Sequence, residues 1–133
     1  MILFFYKEQR NLFVCEDISP KELSKDEKSR LAKFFSFIGS HKQVDIICIS
    51  QNCTDILPSM RRLANYCFLF KNHDIKHTSE IAKKINITPK QLHYIFNNIC
   101  TTLFDSLLID ETRSPEYRLR KNVYQIIKLP ELK

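Results

Sequence analysis

Two short apolar runs in this 133-residue chain each stop at polar residues suited to phosphoryl chemistry. Leu12-Phe13-Val14-Cys15 gives way to Glu16-Asp17, and Val44 to Ile49 gives way to Ser50-Gln51-Asn52. Runs of this length, rich in β-branched and aromatic residues, read as buried strands with polar tips. In parallel α/β sheets, ligands bind outside the carboxyl ends of the strands. A Glu-Asp pair there can hold a magnesium-bound water and polarise an attacking water. Gln51 can hydrogen-bond a γ-phosphate or orient that water. Residue type alone favours a plainer reading of the acidic pair, a solvated strand end or the lead-in to a helix cap.

The composition limits how such a site can be completed. The only glycine is Gly39, and no GxxxxGK[ST] or GxGxxG can be written. A backbone that wraps phosphates needs several residues that tolerate positive φ. The phosphates of any nucleotide must therefore be cradled by something outside this chain. A net charge of +6 is compatible with a polyanionic partner, although the lysines are spread along the sequence. The five cysteines are odd in number and lack a CxxC. They read as buried free thiols with no zinc site, and Cys48 and Cys53, which flank the second strand tip, read either as redox-active or as small buried hydrophobes. His73 and His77 are spaced i, i+4 but have no third ligand in sequence reach. No stretch approaches the roughly 20 apolar residues of a membrane span, and the expectation is a soluble intracellular protein or one packaged with such a protein.

These tips need an α/β frame to position them. A capping Ser with a Glu three residues later occurs at Ser19-Pro20-Lys21-Glu22 and again at Ser24 to Glu27. The helix that follows carries Leu31, Phe34, Phe35 and Ile38 on one face, with Gly39 as its stop. Asp55 to Ala64 places Ile56, Leu57, Met60 and Leu63 on one side and Arg61 and Arg62 on the other, and Tyr66 to Phe70 reads as a third strand. Strand, helix, strand, helix, strand predicts a parallel sheet with right-handed crossovers. Helical periodicity then runs from His73 through Leu103, with Thr88 capping and Pro89 starting its second helix. A strand from Ser106 to Ile109, a polar turn and a last apolar segment, Val123 to Ile127, end the chain.

The stretch from Phe37 to Asn72 resembles the sensor-strand region of viral genome-packaging ATPases of the FtsK–HerA type, found in large DNA viruses and virophages. The matching positions are Gly39 and His41, Ile46 to Ile49, Ser50-Gln51, Leu57-Pro58, Arg61 or Arg62, Asn65-Tyr66 and Phe70-Lys71. LFVCED falls where that family has its Walker B strand, and DSLLID followed by YRLRKNVY is similar to its C-terminal end. The resemblance implies a single domain, 1–133, forming the C-terminal half of a P-loop NTPase (RecA/FtsK-like) core. With a mainly parallel sheet, the Walker B to sensor region would span 12–72, a helical hairpin 73–104, and the C-terminal strands 105–133. It further implies ATP and magnesium as ligands, Glu16 and Asp17 in the Walker B roles, Gln51 as sensor, and Arg61 or Arg62 on phosphate or a neighbouring subunit. The implied setting is a ring-shaped oligomer that moves double-stranded DNA into viral capsids, in the host cytoplasm, the viral factory or the virion. This sequence departs from the family in having Glu before Asp, and in carrying no Walker A segment, which a separate chain or segment would supply.

A reading from another class rests on Ser79 to Phe96. An Ala in the first helix, a tight Asn86-Ile87-Thr88 turn, and Ile81, Ile85, Ile87, Leu92 and Ile95 at inward positions form the pattern of a helix-turn-helix. Lys90, Gln91, His93 and Tyr94 would then face a DNA groove, and Lys83 and Lys84 its phosphates. A plain helical hairpin packed on the sheet has the same pattern.

Overall fold

The computed structural model describes residues 11–16, 22–41, 44–52, 55–71 and 75–129, and for 39–41 and 75–79 it describes the backbone alone. The chain is mixed α/β and divides into two compact units, Met1–Leu63 and Ala64–Lys133.

In the first unit, β1 (Asn11–Glu16) and β2 (Val44–Ile49) pair in parallel, with Phe13 opposite Ile46, Cys15 opposite Cys48 and Glu16 opposite Ile49. The crossover between them is α1 (Lys25–His41). Ser24 starts this helix through a reciprocal cap: the Glu27 amide donates to Ser24 Oγ at 3.3 Å, while Glu27 Oε2 accepts from the Ser24 amide at 2.8 Å. The Ser24 hydroxyl and amide hold the Glu27 carboxyl below its ordinary range. The earlier candidate start, Ser19-Pro20, lies outside the described residues. α1 does not stop at Ile38, because Gly39 stays within the helix and no glycine has positive φ among the described residues. Glycine permits a left-handed stop but does not impose one.

One face of β1 and β2 packs on α1 and on α2 (Pro58–Leu63). Cys15, Phe35, Leu57 and Met60 are buried there, with Phe13, Phe34, Ile46 and Cys48 packed against them. Phe13, Phe34 and Phe35 meet edge to face, with ring centroids 5.8–6.3 Å apart, the arrangement that aromatic quadrupoles favour.

The second unit begins with β3 (Tyr66–Phe70), where the observed topology departs from the expected one. β3 does not extend the parallel sheet. It pairs antiparallel with β4 (Ser106–Asp110), in a four-stranded antiparallel sheet of order β3-β4-β5-β6 completed by β5 (Leu119–Lys121) and β6 (Gln125–Ile126). The only parallel pair among the described strands is β1–β2. An apolar run such as YCFLF does not encode strand direction, and it is not buried here: Tyr66, Phe68 and Phe70 are exposed. The connection to β4 passes through two helices that return the chain antiparallel. β4 lies between two partners and is buried at all five residues.

That connection is the expected helical hairpin. α3 (Ile75–Lys84) and α4 (Pro89–Tyr94) flank a turn in which Asn86 adopts φ 55°, and a π-helical turn, Ile95–Ile99, prolongs α4. Asparagine accepts this left-handed conformation at less cost than most residues. Thr88 caps α4 and Pro89 opens it. Ile81, Ala82, Ile85, Leu92, Ile95 and Phe96 are buried. No helix among the described residues is long and apolar enough to cross a membrane.

The sheet is closed at both ends of β4 by carboxylates. Asp105 accepts hydrogen bonds from the Thr102 amide at 2.9 Å and Asn122 Nδ2 at 3.0 Å, and it pairs with Lys121 at 3.0 Å. Asn122 Oδ1 in turn accepts from the Ser106 amide at 2.8 Å, fixing the β5–β6 turn onto the start of β4. Asn122 and Val123 in that turn have φ of 48° and 76°. At the other end Asp110 accepts from the Thr112 hydroxyl at 2.6 Å and faces Arg113 and Arg120 at 3.7 and 3.8 Å.

The Thr102 amide holds Asp105 well below the usual carboxylate range, helped by Asn122 and Lys121 and opposed by burial. The Thr112 hydroxyl does the same for Asp110. A carboxylate whose folded pKa is depressed contributes stability that is complete above its unfolded pKa, near 3.9, and is lost as pH falls through the folded value. The thermal midpoint of this chain should therefore fall steadily as pH is lowered below about 4. Asp105→Asn should lower the midpoint at neutral pH and flatten that acid slope, which calorimetry across pH 2–7 would measure.

Candidate nucleotide edge and helix-pair surface

The parallel register brings two of the sequence-derived residues to one edge. Glu16 ends β1, and its Cα partner Ile49 ends β2, two residues before Gln51. Both side chains are exposed at the carboxyl ends of adjacent parallel strands, the position where α/β sheets bind ligands. Asp17, the expected catalytic base, lies outside the described residues.

Gln51 sits in a turn braced by its neighbours Ser50, Asn52 and Asp55. Ser50 Oγ donates to the Asn52 carbonyl at 2.9 Å and accepts from the Asn52 amide at 3.3 Å. Asn52 Nδ2 donates to Asp55 Oδ2 at 3.0 Å, and the Asp55 amide donates back to the Asn52 carbonyl at 3.0 Å. Ser, Asn and Asp at this spacing are the usual makers of such turns. Their presence after an apolar run was the available signal.

Beneath the edge is a narrow cleft lined by Cys15, Leu31, Cys48, Ile49, Ser50 and Met60 among others, with no lysine or arginine in its lining. A single exposed carboxylate, Glu16, suits a magnesium ion that keeps most of its waters and takes its remaining ligands from substrate phosphates. Among the described residues no three His, Cys, Asp or Glu side chains converge to hold a metal directly. His73 and the side chain of His77 lie outside what is described.

Arg61 and Arg62 occupy the last turn of α2. Arg62 is exposed and Arg61 half-buried. They lie three and four residues after Pro58, about 4.5–6 Å along the helix from its start.

The six residues of the helix-pair surface separate into two groups. Lys84 Nζ donates to the Ala64 carbonyl at 3.0 Å, tying α3 to the start of β3. Gln91 completes the capping box of α4: its Oε1 accepts from the Thr88 amide at 2.8 Å, and its own amide donates to Thr88 Oγ1 at 3.2 Å. These two side chains are engaged in structure. Lys83 is exposed and pairs with Glu80 at 3.0 Å. Lys90 and His93 are exposed on α4, on the same face as Asn97, whose Nδ2 lies 3.5 Å from His93 Nδ1. Tyr94 is half-buried.

Gln91→Ala and Thr88→Ala should each lower stability by about 1 kcal/mol, the usual cost of losing such a cap. Equilibrium denaturation would measure this, and any weakening of DNA binding by Gln91→Ala should disappear once unfolding is corrected for. Comparison with protein-family models, with curated proteins and with solved structures finds no match to the chain.

Proposed function

We propose that this chain is the Walker B and sensor part of an ATP-driven motor that packages double-stranded viral DNA. The observation that carries the reading is the parallel register, which ends β1 at Glu16 opposite Ile49, two residues before the exposed Gln51. In this reading the first unit is part of a P-loop core. Glu16 holds water on magnesium, Asp17 polarises the attacking water, and Gln51 orients it or contacts the γ-phosphate. Arg61 or Arg62 offsets charge on the phosphates of this or a neighbouring subunit. Magnesium, when bound, would neutralise charge developing on the phosphate oxygens.

The phosphate cradle comes from elsewhere, since this chain has a single glycine. The open face of the parallel pair supports that division. Leu12, Val14, Ile47 and Ile49 are exposed on the face that also bears Glu16. Parallel strands are normally covered on both faces. A further layer here would stand beside Glu16, where a Walker A segment is required. The proposed assembly is a ring acting with capsid components in the host cytoplasm or viral factory, or within the virion.

A second reading, a DNA-binding or scaffold protein that uses 79–96, is favoured by Asn86 at φ 55°, the fully buried Ala82 and the exposed row Lys90, His93, Asn97.

The test is ATP turnover by the chain alone and after mixing with a Walker A-bearing partner. Turnover that appears on mixing and drops about a hundredfold or more in Gln51→Ala or Asp17→Asn supports the motor. DNA binding that survives those changes but is lost in Lys90→Ala, with no turnover under any condition, supports the second reading.

A further inference from the structure

The five cysteines looked unrelated in sequence, and the nearest pair flanking a strand tip was Cys48 and Cys53. The fold pairs Cys48 differently. Cys15 on β1 and Cys48 on β2 are direct register partners, so their side chains leave the sheet on the same face. Directly opposed residues on neighbouring strands have Cα atoms about 4.8 Å apart, within the range of about 4.4–6.8 Å that a disulfide spans. Both thiols are free and both line the cleft beneath the strand edge, Cys15 buried and Cys48 half-buried.

We propose that Cys15 and Cys48 form a reversible dithiol–disulfide pair, oxidised by a peroxide small enough to enter the cleft. This holds whether or not the chain belongs to an ATPase. Cys48, half-buried where Cys15 is buried, is the residue that meets the peroxide first. Burial raises both thiols, pushing Cys15 up to about 12, which slows this step. The Cys48 sulfur attacks one peroxide oxygen and the O–O bond breaks, giving a sulfenic acid on Cys48 and one water. The Cys15 sulfur then attacks the Cys48 sulfur and displaces hydroxide, which leaves as a second water with the Cys15 proton. Each sulfur gives up one electron, and the two peroxide oxygens take up both. A thiol reductant reverses the bond by exchange.

Cys100 offers a contrast within the same chain. It is buried and its thiol donates to the Ser106 carbonyl at 3.7 Å, with no register partner of its own kind.

The full chain, fully reduced, is treated with hydrogen peroxide, quenched with catalase, unfolded, alkylated and mapped by mass spectrometry. The expected result is the loss of two of the five alkylatable thiols. A single intramolecular Cys15–Cys48 peptide link should account for them, dithiothreitol should restore both, and Cys100 should alkylate fully throughout. Cys48→Ser should leave Cys15 fully alkylatable after the same treatment. Should that variant fail to fold, the wild-type map decides alone. Full alkylation of Cys15 and Cys48, a link from either to another cysteine or another chain, or stable sulfinic acid on Cys48 with no link would each overturn the proposal.

Discussion

The parallel register of β1 and β2 is the constraint on which the first unit depends, because strand side chains alternate faces and a shift of one residue inverts them all. With Phe13 opposite Ile46 and Cys15 opposite Cys48, the packed face is apolar and meets Phe35, Leu57 and Met60. The same register fixes where the polar tips fall. Glu16 has no freedom to retreat from the edge without pulling Cys15 out of the core. The turn after β2 is set with equal economy: Ser50, Asn52 and Asp55 bond one another, so Gln51 is carried at a defined place rather than on a loose loop.

The second unit relies on a different device. β4 is buried at every residue, so its two ends must be finished with polar groups that water does not solvate freely. Asp105 and Asp110 serve this purpose, each surrounded by donors supplied from the adjoining turns. Buried carboxylates are costly unless their oxygens are satisfied. Asn122 works in both directions, donating to Asp105 and accepting from Ser106, and so locks the β5–β6 turn to the strand it must neighbour. The adjoining residue, Val123, is held at φ 76°, a conformation that a β-branched residue adopts only under constraint from its surroundings.

What the sequence disclosed was the local part of this design. The bounds of β2, the capping role of Thr88, Pro89 at the helix start, the left-handed Asn86 and the inward residues of the hairpin all depend on spacing within one or two turns of chain. Three features depend on partners distant in sequence and could not be read that way. The direction of β3 is decided by β4, some forty residues later. β5 contains one apolar residue, Leu119, followed by Arg120 and Lys121, so no run announces it, and only its position beside β4 buries it. The pairing of Cys15 with Cys48 needs the register itself. Gln91 and Lys84 show the same limit in reverse: their types suit nucleic acid, but a cap and a distant carbonyl already engage them.

Each unit leaves apolar strand side chains exposed. In the antiparallel sheet Leu107, Leu108 and Ile109 are enclosed almost completely, while Tyr66, Phe68 and Phe70 on β3 stay 51–60% exposed. The parallel pair buries one face only, and Leu12, Val14, Ile47 and Ile49 remain 46–61% exposed on the other. Covering each of these would be worth on the order of 1 kcal/mol, since full burial of such a side chain is worth about 1.5–3 kcal/mol. The sum is a sizeable share of the roughly 5–15 kcal/mol that holds a domain together. Because Glu16 projects from this same face, a layer that stabilised the first unit would also desolvate its carboxylate and strengthen every electrostatic contact made there. The stability of the strand pair and the chemistry available at its edge are therefore set by one surface.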